Sequence, residues 1–381
     1  MQKKVLMILS NPCNPDPRVI MEANLLTEIG HIVDIICWDR EDSIKNKEFE
    51  VINQINIKRL KYKSTYGTGL KQLNSMFKFW KTVYKEIKIN KYDIIHCHDF
   101  DTLIPGFLGA KKSGSKIIFD AHEIYAEMIE FHTPKILVKI IHSIEKFIVK
   151  RVNAVITVGE RMKDYYKIYN NNTIIVGNYK NAINSGLVKE FKIKTRQVLD
   201  IPKDAIVITY VGVFAKDRAL LPLINSIKNA NENVFLIIGG KGENQNEIEK
   251  LIGNSNNIKY LGFINNEKIS EIISAADFLY YGLYKEFQNN YYSTPNSLFN
   301  AISVGIPTIT TNIGEIAEIV SKKKLGYVLD EDIEDGLSSI IEEIKFNGEN
   351  IYEMKINTTK VQQEYSLDGN KKNLRDIYNA L

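Results

Sequence analysis

Two short segments concentrate side chains that can hold and move protons: His96-Cys97-His98-Asp99-Phe100-Asp101, and Asp120-Ala121-His122-Glu123. Each lies where an apolar run ends, at residues 94–97 and 116–119. Histidine, aspartate and glutamate together suit either a metal or a hydrogen-bonding site that handles protons. His98, Asp99 and Asp101 crowd one turn, with nothing in the sequence fixing them as one coordination shell, so the expectation is proton handling and no metal. A lone histidine is usually structural, but His122 is flanked by Asp120 and Glu123 at a strand end and is read as catalytic.

Further chemistry-bearing residues follow other apolar runs. After residues 5–9 comes Asn11-Pro12-Cys13-Asn14-Pro15-Asp16-Pro17-Arg18, whose prolines stiffen a loop and place Arg18 in a first helical turn, where it reads as an anion or acceptor contact. Gly239-Gly240-Lys241-Gly242 has only part of a dinucleotide fingerprint and carries little weight alone. Val211-Gly212-Val213-Phe214 leads to Asp217-Arg218, where glycine lets backbone approach a ligand and arginine can grip phosphate in two places. The segment from Ser293-Thr294-Pro295-Asn296-Ser297-Leu298 to Gly305-Ile306-Pro307 reads as a helix with proline in its first turn and glycine at its end. Its N-terminal N–H groups can hold a diphosphate, and Asn300 can reach a ribose.

The elements that position these residues alternate in a regular rhythm. Apolar runs at 5–9, 32–38, 94–97, 116–119, 154–158 and 173–176 are separated by amphipathic stretches, and the series restarts at 206–214, 235–238, 258–261, 278–283, 308–311 and 326–329. Strands alternating with helices imply parallel sheets, here two of them, with ligands beyond the carboxyl ends of the strands. Residues 179–203 are polar, lack clear periodicity and are expected to be the linker. The expected domains are 1–180, joined by a terminal helix at 366–381, and 181–365. That helix carries Leu374, Ile377, Tyr378 and Leu381 on one face and needs a partner surface.

At 381 residues, with 44% apolar and 25% charged residues, the chain fits two ordinary globular domains and excludes disordered or collagen-like classes. The three cysteines, Cys13, Cys37 and Cys97, have no metal-ligand spacing and suit a reducing compartment. Net charge is +4, with Lys71, Lys78, Lys81, Lys85, Lys88 and Lys91 gathered in one helix and its exit. These basic residues form no recognition module, so nucleic-acid binding is not expected. The apolar start breaks at Asn11-Pro12, which does not suit a signal peptide, and no run is long enough to span a bilayer; a cytoplasmic location is the expectation. Residues 134–151 combine eight large apolar residues with Lys135, Lys139, Lys146, Lys150 and Arg151. Two readings stand open: an interfacial helix on an anionic membrane surface, or a core helix with a solvated basic edge.

The ordered set of motifs resembles glycosyltransferase family 4, the large retaining family of GT-B fold. The resemblance covers nearly the whole chain: Arg18-Val19 with Glu22-Ala23, Gly30-His31, the run from His98 to Thr102, Asp120 to Glu123, Val155 to Val158, Tyr210-Val211-Gly212, Asn257 to Gly262, Ala276-Asp277, and Pro295-Asn296 through Pro307. It implies two Rossmann-like doubly wound α/β domains facing a cleft, with the terminal helix crossing back to the first. His122 then matches the histidine facing the reacting centre, and Arg218 the cation gripping the donor diphosphate. Gly212, Phe263, Thr294, Pro295, Asn296, Ser297, Leu298 and Asn300 fall on the donor side, with backbone near Phe263 reading the base. Arg18, His98, Asp99, Asp101 and Glu123 fall on the acceptor side.

The implied reaction moves a sugar from a UDP- or GDP-sugar, a substrate rather than a cofactor, to a glycan or lipid-linked acceptor without a metal. Two departures bear on the donor. The family's paired glutamates fall at Tyr292 and Asn300, and its arginine after the first strand falls at Val213. Asn300 can still bond ribose hydroxyls, but without charge assistance. The alternatives are a non-catalytic sugar-nucleotide-binding subunit and a non-hydrolysing sugar-nucleotide 2-epimerase.

Overall fold

The computed structural model describes every residue except 15, 45–46, 65–72, 131–132, 231–232, 331 and 347. Pro15 and Lys71 therefore lie outside the described residues. The chain divides into two units, Met1–Gly177 with Asn370–Leu381, and Asn178–Gly369.

In the first unit the strands are β1 (Lys4–Leu9), β2 (Ile32–Trp38), β3 (Phe49–Ile52), β4 (Ile55–Leu60), β5 (Ile94–His98), β6 (Lys116–Ala121), β7 (Ala154–Thr157) and β8 (Thr173–Ile175). They form one sheet in the order β3-β4-β2-β1-β5-β6-β7-β8. All neighbours are parallel except the β3–β4 pair. The central strand β1 is apolar and buried on both faces, which is why it stands out as a continuous apolar run, whereas β5 is equally buried but carries His96 and His98 on one face. The β3–β4 hairpin went unread in the sequence. Its turn is Asn53-Gln54, both with positive φ but with no glycine to advertise it, and β3 is only half-buried.

The helices of this unit are α1 (Pro17–Glu28), α2 (Leu73–Asn90), α3 (Phe100–Ser113), α4 (Tyr125–Ile129), α5 (Lys135–Val149) and α6 (Glu160–Lys167). The Asp16 carboxylate accepts the Val19 N–H at 3.1 Å and Pro17 opens α1, so the loop and cap together fix where Arg18 starts. Glu145, Ile148 and Val149 of α5 are buried, while Ile136, Leu137, Ile140, Ile144 and Phe147 are exposed.

The second unit holds β9 (Ile206–Val211), β10 (Val234–Gly239), β11 (Ile258–Tyr260), β12 (Phe278–Tyr281), β13 (Thr308–Thr311) and β14 (Gly326–Leu329), in a parallel sheet of order β11-β10-β9-β12-β13-β14. Its helices are α7 (Ser185–Val198), α8 (Leu220–Asn229), α9 (Gln245–Ile252), α10 (Asn266–Ser274), α11 (Asn296–Val304), α12 (Gly314–Lys323), α13 (Ile333–Phe346) and α14 (Gly348–Lys360). Helix α7 corrects the linker reading of 179–203. Leu187, Ile193 and Val198 of this helix are exposed, so it shows no apolar stripe. It is anchored instead by buried Arg196, which donates to the Ala275 and Ala205 carbonyls and pairs with Asp277 at 2.8 Å.

The last helix, α15 (Leu367–Ala380), begins in the second unit and ends in the first. Leu374, Ile377 and Tyr378 join the apolar cluster built by β1, β2 and α1, so the terminal helix crosses back to the first unit as the family resemblance implied. Asn370 secures the join by donating to the Gly177 carbonyl at 2.8 Å.

In each sheet the chain reverses its direction of winding once. β1 pairs with β2 on one side and β5 on the other, and β9 pairs with β10 and β12. Doubly wound sheets bind ligands beyond the carboxyl ends of the strands at such a point.

Candidate functional site

At the first reversal, the ends of β5 and β6 and the start of α1 meet around one carboxylate. Asp120 is fully buried, with the Arg18 guanidinium 2.8 Å from one oxygen and His98 Nδ1 and His122 Nε2 both 3.0 Å from the other. Arg18 also pairs with buried Glu22, one helical turn on, at 3.0 Å and donates to the Val176 carbonyl at 2.6 Å. Burial alone would raise the Asp120 carboxyl; Arg18 and His122 reverse that and hold it well below the usual carboxylate range.

His96 and His98 point to one face of β5, as residues two apart in a strand must, and their rings stack at 4.5 Å. His96 Nδ1 meets the Tyr378 hydroxyl at 2.7 Å. Burial lowers the pKa of both histidines and keeps them neutral. Burial raises the Glu22 carboxyl to about 8, only partly offset by Arg18.

His122 behaves differently. Burial disfavours its charge, but the carboxylates of Asp99 and Asp120 override burial and push it up to about 9. Its Nε2 faces Asp120 at 3.0 Å and its Nδ1 faces Asp99 at 3.4 Å, while its backbone N–H donates to Asp99 at 3.1 Å. The ring is thus a cation at neutral pH, with both nitrogens turned to carboxylates. Asp101 lies in the first turn of α3, its Oδ1 buried without a hydrogen-bond partner, and Glu123 is half-buried beside His122.

Two corrections follow. Arg18 is buried and committed to Asp120, Glu22 and Val176, so it positions the site rather than contacting an acceptor. Glu22 and His96 stand within the motifs of the sequence, but the sequence alone assigns neither a place in the site. Arg18 and Glu22 at i and i+4, and His96 two residues before His98, were the available signals. Glu22, His96, His98 and Asp120 bring four ligand-type atoms within 4.8 Å of one another. The Arg18 guanidinium already balances the Asp120 carboxylate, and Glu22, raised to about 8, holds its proton at neutral pH, so a dication would sit against a fixed cation; the arrangement is a charge-balanced network.

At the second reversal, β9 ends beside Gly212 and β12 before Gly282. Backbones pack directly here: a Cβ on Gly240 would lie 1.8 Å from the Gly212 carbonyl oxygen, and Gly240 has φ of +159°. Arg218 bonds the Asp217 carboxylate and reaches Asn290 Oδ1 at 3.3 Å, with its guanidinium 5.2 Å from the Tyr281 ring. Asn290 is buried and donates in turn to the Tyr284 carbonyl at 2.9 Å. Neither Asn290 nor Tyr281 was singled out from the sequence, where nothing marks an asparagine or tyrosine in a polar loop as an arginine support.

Helix α11 starts at Asn296, with Pro295 at the cap in an extended conformation rather than inside the first turn, and no side chain caps it. Thr294 accepts from Asn178 at 3.1 Å through its carbonyl. The Ser297 hydroxyl donates to the Val211 carbonyl at 2.7 Å and Leu298 is fully buried in the core, so these two residues offer the site only their backbone. Asn300 is 8% exposed, and its side-chain amide makes no hydrogen bond among the described residues. Phe263 is exposed, with Lys241 Nζ 4.8 Å from its ring.

Two adjoining sequence models match the chain: Glycosyltransferase Family 4 over residues 18–176, and Glycosyl transferases group 1 over residues 191–361. The chain belongs to glycosyltransferase family 4.

Relatives of this glycosyltransferase span most of its length. An uncharacterized glycosyltransferase of Methanocaldococcus jannaschii is 24% identical over 93% of this chain and 90% of its own. The Escherichia coli UDP-Gal:alpha-D-GlcNAc-diphosphoundecaprenol alpha-1,3-galactosyltransferase is 25% identical over 68% of each chain. Sucrose-phosphate synthase from Thermosynechococcus elongatus shares the GT-B fold, with a TM-score of 0.81 at 15% identity over 99% of both chains. The enzyme is thus a transferase of sugars, which speaks against the epimerase alternative.

The His122 pairing makes stability depend on pH. Because folding raises this histidine from 6.5 to about 9, its contribution is fully present below 6.5 and is lost as pH rises through 9. The stability difference between the wild type and His122→Gln, measured by denaturant unfolding, should shrink by up to about 3 kcal/mol over that window. A difference that stays constant from pH 6 to 10 would contradict the charged ring.

Proposed function

We propose that this family 4 enzyme transfers a sugar, with retention of anomeric configuration, from a UDP- or GDP-sugar to a hydroxyl of a glycan or lipid-linked acceptor in surface polysaccharide or glycoconjugate synthesis. The donor is held by the second unit and the acceptor by the first. The observation that carries this reading is Arg218, pinned by Asp217 and Asn290 at the winding reversal of a sheet whose adjoining helix α11 has no side-chain cap.

An arginine fixed in place needs little reorganisation when negative charge develops on a leaving diphosphate, and free helix N–H groups add to the same field. Backbone near Gly212 can approach the phosphates and backbone near Phe263 the base, while the Asn300 amide bonds the ribose in place of the family's carboxylate. The reaction in this reading uses no metal. UDP and a lipid-linked acceptor are favoured by the likeness to the Escherichia coli galactosyltransferase, which uses both.

Helix α5 supports a membrane-associated acceptor. Ile136, Ile140, Ile144 and Phe147 form one exposed apolar face, and Lys135, Lys139, Lys146, Lys150 and Arg151 supply positive charge. No helix among the described residues is long and apolar enough to cross a bilayer; the mode of contact in this reading is α5 lying on the membrane surface.

Transfer from UDP-galactose to N-acetylglucosamine-diphosphoundecaprenol should fall about 10²–10³-fold in Arg218→Ala, with loss of the thermal shift induced by UDP. Turnover near the wild-type value in that variant would refute the role given to Arg218. For location, the protein should co-sediment with vesicles containing phosphatidylglycerol but not with pure phosphatidylcholine, and Ile140→Glu should abolish binding. Sedimentation indifferent to anionic lipid would remove the membrane reading.

A further inference from the structure

In the first unit's site most ionisable groups are closed to a substrate. Arg18, Glu22, His96, His98 and Asp120 are buried, and both ring nitrogens of His122 face carboxylates. Asp99 is more open, with 39% of its side chain exposed. Among the described residues its carboxylate oxygens contact His122 alone, through the backbone N–H at 3.1 Å and the ring at 3.4 Å, and it makes no capping bond to its own helix α3. The carboxylate therefore keeps lone pairs open toward solvent.

The backbone beneath it is unusual. Asp99 has φ of 63° and ψ of 166°, a region almost reserved for glycine, in which an L residue is strained. Such conformations persist where the surrounding structure enforces them and gather at functional sites. Asp99 also stands at the carboxyl end of β5, one of the two strands flanking the winding reversal. Strain, exposure and topology converge on one side chain.

We propose that Asp99, rather than His122, is the catalytic residue that receives the acceptor. Its free oxygen accepts the hydrogen bond of the attacking hydroxyl and takes that proton as the hydroxyl oxygen bonds to the anomeric carbon. The hydroxyl attacks on the face from which the diphosphate departs, so configuration is retained; the anomeric C–O bond to the diphosphate breaks in the same reaction, and its electron pair leaves on the phosphate oxygen. His122 is the positioning residue: its ring and backbone N–H orient the Asp99 carboxylate and hold its charge. The inference rests on the transferase reading above and names the group that touches the acceptor.

The test uses the full chain with UDP-galactose and N-acetylglucosamine-diphosphoundecaprenol. Asp99→Asn keeps an oxygen to accept the His122 N–H and carries the same backbone strain as aspartate, but it gives up the ion pair with the His122 ring; the variant should stay folded with a lowered melting temperature, and its UDP-induced shift should match the wild type. Its kcat should fall about 10²–10⁴-fold with donor KM within threefold. A role confined to orienting His122 would survive in asparagine. A role exerted only through the His122 charge would vanish in the His122→Gln background, whereas the proposal requires Asp99→Asn to lower kcat further there. Undiminished transfer by Asp99→Asn, or no added loss in the double variant, overturns the inference alone. Absence of transfer by the wild type overturns the donor and acceptor reading on which it rests.

Discussion

The carboxylate of Asp120 organises the first unit's site. It is buried, and it stays ionised because Arg18 reaches it from α1 and the His122 ring from beyond β6. Removing one partner of a buried ion pair leaves an uncompensated charge, at a cost of about 3–5 kcal/mol. Arg18 is therefore tied into the architecture, and its further bond to the Val176 carbonyl joins the start of α1 to the chain leaving β8. The same carboxylate decides which histidine carries charge: His122, clamped between Asp120 and Asp99, is cationic, while His96 and His98, stacked and buried, are neutral.

The second unit solves a different problem with different means. In the reading proposed above it holds a polyanion with few formal charges, since Val213, Tyr292 and Asn300 stand where the family places an arginine and two glutamates. What remains is backbone geometry and one arginine. Glycines let the loops after β9 and β10 approach within contact distance, and Asn290 and Tyr281 join Asp217 in fixing Arg218. In that reading an asparagine at position 300 lowers the negative charge around the donor, which suits a site that has lost one of its cations.

The strands of both sheets were legible because parallel strands covered on two faces are apolar throughout, and the terminal helix because its spacing is helical. Helix α7 was not, since its hold comes from the polar anchors of Arg196. The β3–β4 hairpin was missed for want of a glycine turn. Among site residues, His98, Asp99, His122 and Arg218 were marked by type and position. Side-chain direction was not legible: Arg18 and Ser297 turned inward to protein partners, Glu22 and His96 turned into the site from motifs that gave them no role, and Asn290 entered from a segment with no visible motif.

Histidine ring NMR across pH 5–10 tests the central claim most directly, because it reads the charge on each imidazole without any substrate. The account predicts that His122 stays protonated through neutrality and titrates near 9, while His96 and His98 remain neutral across the range. A His122 ring that titrates near 6.5, or a charge shared with His98 at neutral pH, would contradict it.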